Sequence, residues 1–226
     1  MNRSYHIAIT SEALQGRLAP HALQVIIEAN VRQDNLEGQF RHPEYHFDNN
    51  GFAEGQAYLD SQRDLLVQAV KAGQSRLARQ AFGRLTHTAQ DFYAHSNYVA
   101  LWLARQPNSP PPQPQDIDPL NPVVLSDPEL HSGRVYYPWE ALSFISFLAP
   151  LARLLLPRDA HAWMNLDSPQ RGTHFAFART AALRRTVYEF QLLTSLLDQE
   201  EIVLFTGLHQ SQVTASEQPS YTASAP

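Results

Sequence analysis

The chain contains no cysteine. That removes disulfide frameworks and thiolate metal sites together, and it leaves the redox compartment unreadable by that route. Any metal must be held by His, Asp and Glu. Long apolar runs are also missing. The most apolar stretch, "ALSFISFLAPLARLLLP" from Ala141, is interrupted by Pro150 and Arg153 and falls short of the roughly 18 to 20 residues that span a bilayer. It reads as a buried helix with a break in preference to a membrane-surface segment. The opening residues, "MNRSYHIAITSEAL", lack the apolar run of about 7 to 15 residues that defines a secretory signal. The expectation is cytoplasmic residence, export by a route other than Sec, or a signal already trimmed. Concentrated positive charge is absent too: 17 Lys and Arg stand against 22 Asp and Glu, for a net charge of −5. The basic residues are scattered, so no nucleic-acid partner is expected.

What is present is a helical pattern. With 226 residues, 43% of them hydrophobic, the chain can bury a sizeable core, and one domain with appendages is the starting expectation. In "APHALQVIIEANVRQD", Pro20 suits a first-turn position, and Leu23, Ile26, Ile27 and Asn30 recur at helix spacing. Asp34 continues that stripe, which turns it toward the core. A second helix is expected from about Phe52 to Ala72 and a third from about Ser75 to Arg105, with Gly73 as the stop between them. Residues 107–122 carry seven prolines and form an extended excursion, read as a surface loop inside one domain. Further helices are expected over about 138–156, broken at Pro150, and 170–198. "EEIVLF" fits a short strand or a helix. Residues 1–208 are thus expected to form one helical domain, with residues 209–226 a disordered tail.

One helix carries chemistry. "LTHTAQDFYAHSNYV" sets His87, Asp91 and His95 four residues apart. Residues at that interval differ by about 40° in direction and about 6 Å in height, so His87 and Asp91 can share an ion, as can Asp91 and His95. His87 and His95 are about 12 Å apart along a continuous helix and cannot reach the same ion. The spacing suggests two ions with Asp91 between them, because a carboxylate has two oxygens. The competing reading is a set of polar side chains that merely pack. Other potential ligands are His6, Asp34, His42, His46, His161 and Asp167. Glu44 or Asp48, near His46, would orient a ligand imidazole or simply cap the turn. His21, His174 and His209 have no carboxylate partner at useful spacing.

"YHIAIT", "EANVRQD" followed by "HPEYHFDNN", "HTAQDFYAHSN" and "NLDSP" together resemble the Het-C family, itself similar to the bacterial zinc-dependent phospholipases C and, more distantly, the single-strand-specific zinc nucleases. The resemblance spans about residues 4–198. It implies an all-α multi-helix bundle of the zinc-dependent phospholipase C type, with two or three zinc ions at the bottom of a cleft. Carried over by position, it implies Asp34, His46, His87 and Asp91 around a first ion and His6 at a further site sharing Asp91. His95 would sit at another ion with His161. There the family has His-x-x-x-Glu where this chain has Asn165, and Asp167 substitutes. A processed N-terminal Trp of the secreted phospholipases is replaced by Met1.

The function so implied is hydrolysis of a phosphodiester, with a phospholipid headgroup the leading substrate and a membrane surface a possible partner. A metal-bound hydroxide is the expected nucleophile, with Asp34 and Asp91 the catalytic carboxylates and Asp34 doubling as general base. Phe92, Tyr93, Tyr136, Tyr137 and Trp139 suit a lipid-facing rim, but a helical core better. The alternative is a Het-C-like effector or interaction protein whose metal site is structural or impaired.

Overall fold

A computed structural model describes residues 1–107, 109–136 and 156–208. Those residues form an all-α multi-helix bundle with no strands among them. The order is α1 (Arg3–Leu14), α2 (Pro20–Val31), α3 (Leu36–Arg41), α4 (Phe52–Lys71), α5 (Ser75–His95), α6 (Tyr98–Ala104), α7 (Pro122–Leu125), α8 (His161–Met164), α9 (His174–Thr194) and α10 (Gln199–Thr206). None of these helices is long and apolar enough to cross a membrane. The helix expected over 138–156, with Tyr137 and Trp139, and the tail expected from His209 lie outside the described residues.

α5 is the axis of the bundle. It packs against α2, α4 and α9, and every residue from Leu85 to His95 is buried. A helix covered on all sides is normally apolar all round. Phe82, Leu85, Ala89, Phe92 and Tyr93 meet that expectation, and Phe92 and Tyr93 belong to the core rather than to an exposed rim. The remaining stripe is polar and must find partners inside the protein. α2 crosses close by at Gly83, where the carbonyl oxygen of Ile26 occupies the space a Cβ would need.

Several ends of elements differ from the sequence expectations, for local reasons. The helix expected to run to Arg105 stops at His95, because Ser96 is extended (φ −110, ψ 166) and its hydroxyl donates back to the Phe92 carbonyl. The His95 carbonyl accepts instead from Gly133 N at 2.9 Å, and the Asn97 side chain clamps the backbone of Glu129 and His131. α2 likewise ends before Asp34, which lies on a tight turn over Arg32–Asp34. "EEIVLF" is helical in α10, opened by a reciprocal cap between Asp198 and Glu201. The buried Arg79 holds the far end of α10 by donating to the Leu204 and Phe205 carbonyls.

The proline-rich excursion is pinned to the bundle. Tyr93 and Tyr98 donate their hydroxyls to the Pro119 and Asp118 carbonyls, Arg184 donates to the Ile117 carbonyl, and the Ile117 side chain is fully buried.

Candidate metal centre

Four segments deliver side chains to the C-terminal half of α5: α1, the α2–α4 connection, α5 itself, and the stretch around α8. His6 enters from α1, Asp34 from the turn after α2, His46 and Asp48 from the connection, and His161 and Asp167 from α8 and beyond. Asp91 is the meeting point, with no exposed surface.

Its two carboxylate oxygens address different groups. Oδ2 lies 2.8 Å from His46 Nδ1 and 3.1 Å from His87 Nε2, and those two nitrogens are 3.2 Å apart. Asp34 Oδ1 stands 3.7 Å from the same His87 nitrogen. On the other side, Oδ1 meets His6 Nε2 at 3.2 Å, His95 Nε2 at 3.9 Å and the amino group of Met1. The Met1 amine also lies 3.2 Å from Asp167 Oδ1.

A second group forms around His95. Its Nε2 is 3.3 Å from Asp167 Oδ1 and 3.4 Å from His161 Nε2. Its Nδ1 faces the His46 carbonyl at 3.2 Å and Asp48 Oδ1 at 3.3 Å. A carbonyl only accepts, so His95 carries a proton on Nδ1 and turns its Nε2 toward Asp167 and His161. That is how a metal-ligating imidazole is usually held from behind.

The donor set fits a divalent transition metal. His6, Asp34, His87 and Asp91 can each place a ligand atom within 4.8 Å of all the others, and so can Asp48, His95 and His161. His6 Nε2 and Asp48 Oδ1 are buried without a hydrogen-bond partner among the described residues, as are His46 Nε2 and His87 Nδ1, the ring nitrogens opposite those that meet Asp91. Nitrogen and carboxylate donors without thiolate suit Zn and its first-row neighbours.

The electrostatics divide the two groups. Burial, reinforced by the neighbouring His6, pushes the His87 pKa down to about 4 against the pull of Asp91 and Asp34, so His87 is neutral near pH 7. His95 is also desolvated, but Asp91, Asp48 and Asp167 outweigh that burial and hold its pKa well above the usual value. Asp91 and Asp167 are both held low, since the Met1 ammonium and the surrounding histidines overcome the cost of burying them. The ammonium, though itself buried, is held up at about 11 by Asp91 and Asp167.

Asp34, His46, Asp48, His95, His161 and Asp167 line a cavity of about 660 Å³, together with Arg3 and Arg32. The structure therefore brings together His6, Asp34, His46, His87, Asp91, His95, His161 and Asp167. His87 and His95 fall on opposite oxygens of Asp91. His42 is not among them, for its ring is turned to Glu44 (2.8 Å) and stacked on Tyr45, which leaves Glu44 orienting no ligand. Asp34 is partly exposed at the cavity wall instead of facing the core.

Asp48 belongs to the His95 group, beyond the orienting or capping roles its sequence position suggested. Its signal was the run Asp48-Asn49-Asn50-Gly51. Phe47, Asn49 and Asn50 are all left-handed (φ 57, 59 and 58), a conformation that asparagine tolerates. His131 hydrogen-bonds the Asn97 side chain at the surface.

Comparison with known proteins does not bear out the Het-C resemblance. The chain matches the model of the VWA7 N-terminal domain over residues 3–110. It is similar to von Willebrand factor A domain-containing protein 7 of rat (38% identical over 87 residues, 38% of this chain and 10% of that protein). The human protein is 40% identical over 80 residues, 35% of this chain and 9% of that protein. The mouse protein is 41% identical over 88 residues, 38% of this chain and 10% of that protein. The chain thus spans about a tenth of the length of these relatives. No solved structure matches it. Neither a Het-C nor a phospholipase C family is matched, so that resemblance falls. Phosphodiester hydrolysis and the Het-C-like effector alternative rested on it and fall with it. The physical reason is that His-x-x-x-Asp-x-x-x-His records the pitch of one helix, and the same constellation recurs on unrelated proteins. The matched residues 3–110 carry His6, Asp34, His46, His87, Asp91 and His95, but not His161 or Asp167.

Proposed function

We propose that the chain is a metal-binding helical module whose centre holds two divalent transition-metal ions, one on each oxygen of Asp91. The observation that carries this reading is the convergence of His46 Nδ1, His87 Nε2 and Asp91 Oδ2 within 3.2 Å of one another, buried, with Asp34 beside them. Asp34, His46, His87 and Asp91 would hold one ion. His95, His161 and Asp167, backed by Asp48, would hold the other, with His6 on the Oδ1 side of the bridge.

Buried carboxylates at this density need compensating charge. In the metal-free protein the Met1 ammonium and a protonated His95 provide part of it, and bound cations would take the place of the His95 proton.

Structural metal sites are closed by protein ligands, whereas catalytic ones keep a position open. Asp34, His46, His95, His161 and Asp167 face the 660 Å³ cavity, which supports an open centre able to take a small ligand. Both Asp91 oxygens are occupied by neighbours, so Asp91 bridges and does not move protons. Asp34, a partly exposed carboxylate on the cavity wall 3.7 Å from His87 Nε2, is placed to exchange a proton with such a ligand. A bound divalent ion would supply Lewis acidity there.

The test is metal stoichiometry by titration with zinc, read by calorimetry and by elemental analysis of the isolated protein. The reading requires about two ions per chain, falling to one in His87→Ala and one in His95→Ala. Fewer than one ion in the wild type defeats it.

A further inference from the structure

The stripe of α5 that carries Asp91 also carries Gln90, buried with no exposed surface. A buried primary amide must satisfy an acceptor and two donors, and which end points where is decided by its neighbours. The neighbours here leave no freedom. Thr186 on α9 donates its hydroxyl to the Ala182 carbonyl at 2.8 Å, so toward Gln90 it only accepts. The Gln90 atom 3.0 Å from Thr186 Oγ1 is therefore the amide nitrogen, which also reaches Thr10 Oγ1 at 3.0 Å.

A second amide repeats the logic. Thr86 donates to the Gly83 carbonyl at 3.0 Å, so Asn30 must turn its own NH2 toward Thr86 (3.1 Å), and from there toward Gln90 Oε1 at 3.3 Å. Two threonine hydroxyls tied to helix carbonyls thus orient two amides.

The consequence falls on His6. Gln90 Oε1, now fixed as an acceptor, lies 2.7 Å from His6 Nδ1. Nδ1 must carry a proton, and when the ring holds a single proton Nε2 is left with the lone pair. That lone pair faces Asp91 Oδ1 at 3.2 Å with no hydrogen bond between them. Asp91 Oδ1 already faces the Met1 ammonium, and a lone pair set beside that oxygen in a buried site favours a cation shared by both.

We propose that Gln90 is a positioning residue that fixes the Nδ1–H form of His6 and so commits the His6 Nε2 lone pair to the cation held by Asp91. The proposal rests on the metal-binding reading above and adds to it the network that selects the ligand atom. The Thr186–Gln90–His6 relay runs from α9 through α5 to α1, so packing of the helices and readiness of the ligand are one arrangement.

The experiment has two readouts, made on wild type, Gln90→Met, Gln90→Glu and Thr186→Val. The first is the protonation pattern of His6 in metal-free protein, from the 15N shifts of its ring nitrogens. Wild type is expected to carry the proton on Nδ1. Gln90→Met should lose that preference, and Gln90→Glu, which still accepts at the same place, should keep it. Thr186→Val, a milder change that leaves a folded protein if Gln90→Met does not, should weaken it by freeing the amide to turn.

The second readout is zinc affinity. Gln90→Met should bind the His6-dependent ion about 10- to 100-fold more weakly, the range for loss of a partner behind a ligand imidazole, and Gln90→Glu should restore it. A wild-type His6 with its proton on Nε2 overturns the proposal, as does unchanged zinc affinity in folded Gln90→Met. Wild type that binds no zinc but shows the Nδ1 proton sinks the metal-binding reading and leaves the Gln90–His6 link standing, so the two failures are distinguishable.

Discussion

His87 and His95, eight residues apart on one helix, address different oxygens of a single carboxylate: His87 Nε2 lies 3.1 Å from Asp91 Oδ2 and His95 Nε2 lies 3.9 Å from Oδ1. The carboxylate is therefore shared, and replacing it acts on both sides. Asp91→Asn leaves one carbonyl oxygen, no charge and an NH2 aimed at one set of histidines. Zinc stoichiometry in this variant should fall from about two to about zero, whereas His87→Ala and His95→Ala each lose one. A variant that retains a full ion would show that Asp91 is not the bridge.

That two-sided geometry is legible in the sequence because helix pitch is rigid: a four-residue interval fixes direction and height whatever the rest of the chain does. The same holds for α4 and for the use of Pro20 to open α2. What sequence periodicity missed lies where the backbone leaves regular geometry. Nothing in a helix-period pattern stops α5 at His95, since Ser96 bridges to Ser132 and Asn97 finds its partners in Glu129 and His131, more than 30 positions away. Asp48 is the sharper case, for its place beside His95 depends on three left-handed residues that no periodicity describes. The distant family was misread for a related reason, because ligand types at helix spacing report local geometry and not ancestry.

The loop carrying Asp48 offers a prediction of its own. Asn49 Oδ1 accepts from Val135 N at 2.8 Å, and Asn50 exchanges two hydrogen bonds with Ser132, which together hold the turn against the residue 131–135 segment. Asn49→Ala removes one of these anchors and places alanine at φ 59, a cost of about 1–2 kcal/mol. The ion beside His95 should bind roughly tenfold or more weakly, by analogy with other outer partners. The ion beside His87 should be unaffected, and calorimetry that finds both sites equally weakened would contradict the assignment of Asp48.

Gly83 sets how closely α2 approaches α5. A Cβ there would lie 2.3 Å from the Ile26 carbonyl oxygen, 2.8 Å from Ala29 Cβ and 3.0 Å from Asn30 N. Two of those atoms are backbone and cannot rotate away, so Gly83→Ala must push the helices apart. Overpacking of this kind destabilises by about 1–3 kcal/mol, and for a chain of this size each kcal/mol lowers Tm by roughly 2–4 °C. A melting temperature equal to wild type would mean that the crossing is looser than described.

The two halves of the centre should also respond differently to pH. In metal-free protein His87 has its pKa lowered to about 4, below the unfolded value of about 6.5. Between those values the unfolded chain takes up a proton that the folded one refuses, so stability falls as pH drops from about 6.5 to 4. Acidification through the carboxylate range continues the loss, since Asp91 and Asp167 are held low in the fold. His95 has the opposite sign. Its raised pKa gives a contribution that is full below about 6.5 and is lost as pH rises through the folded value. Zinc binding near pH 7 should therefore release a proton on the His95 side and none from His87. Calorimetry in buffers of different ionisation enthalpy counts these protons directly. His95→Ala should lower the count by about one and His87→Ala should leave the imidazole share unchanged, and the reverse pattern would invert the electrostatic assignment of the two ligands.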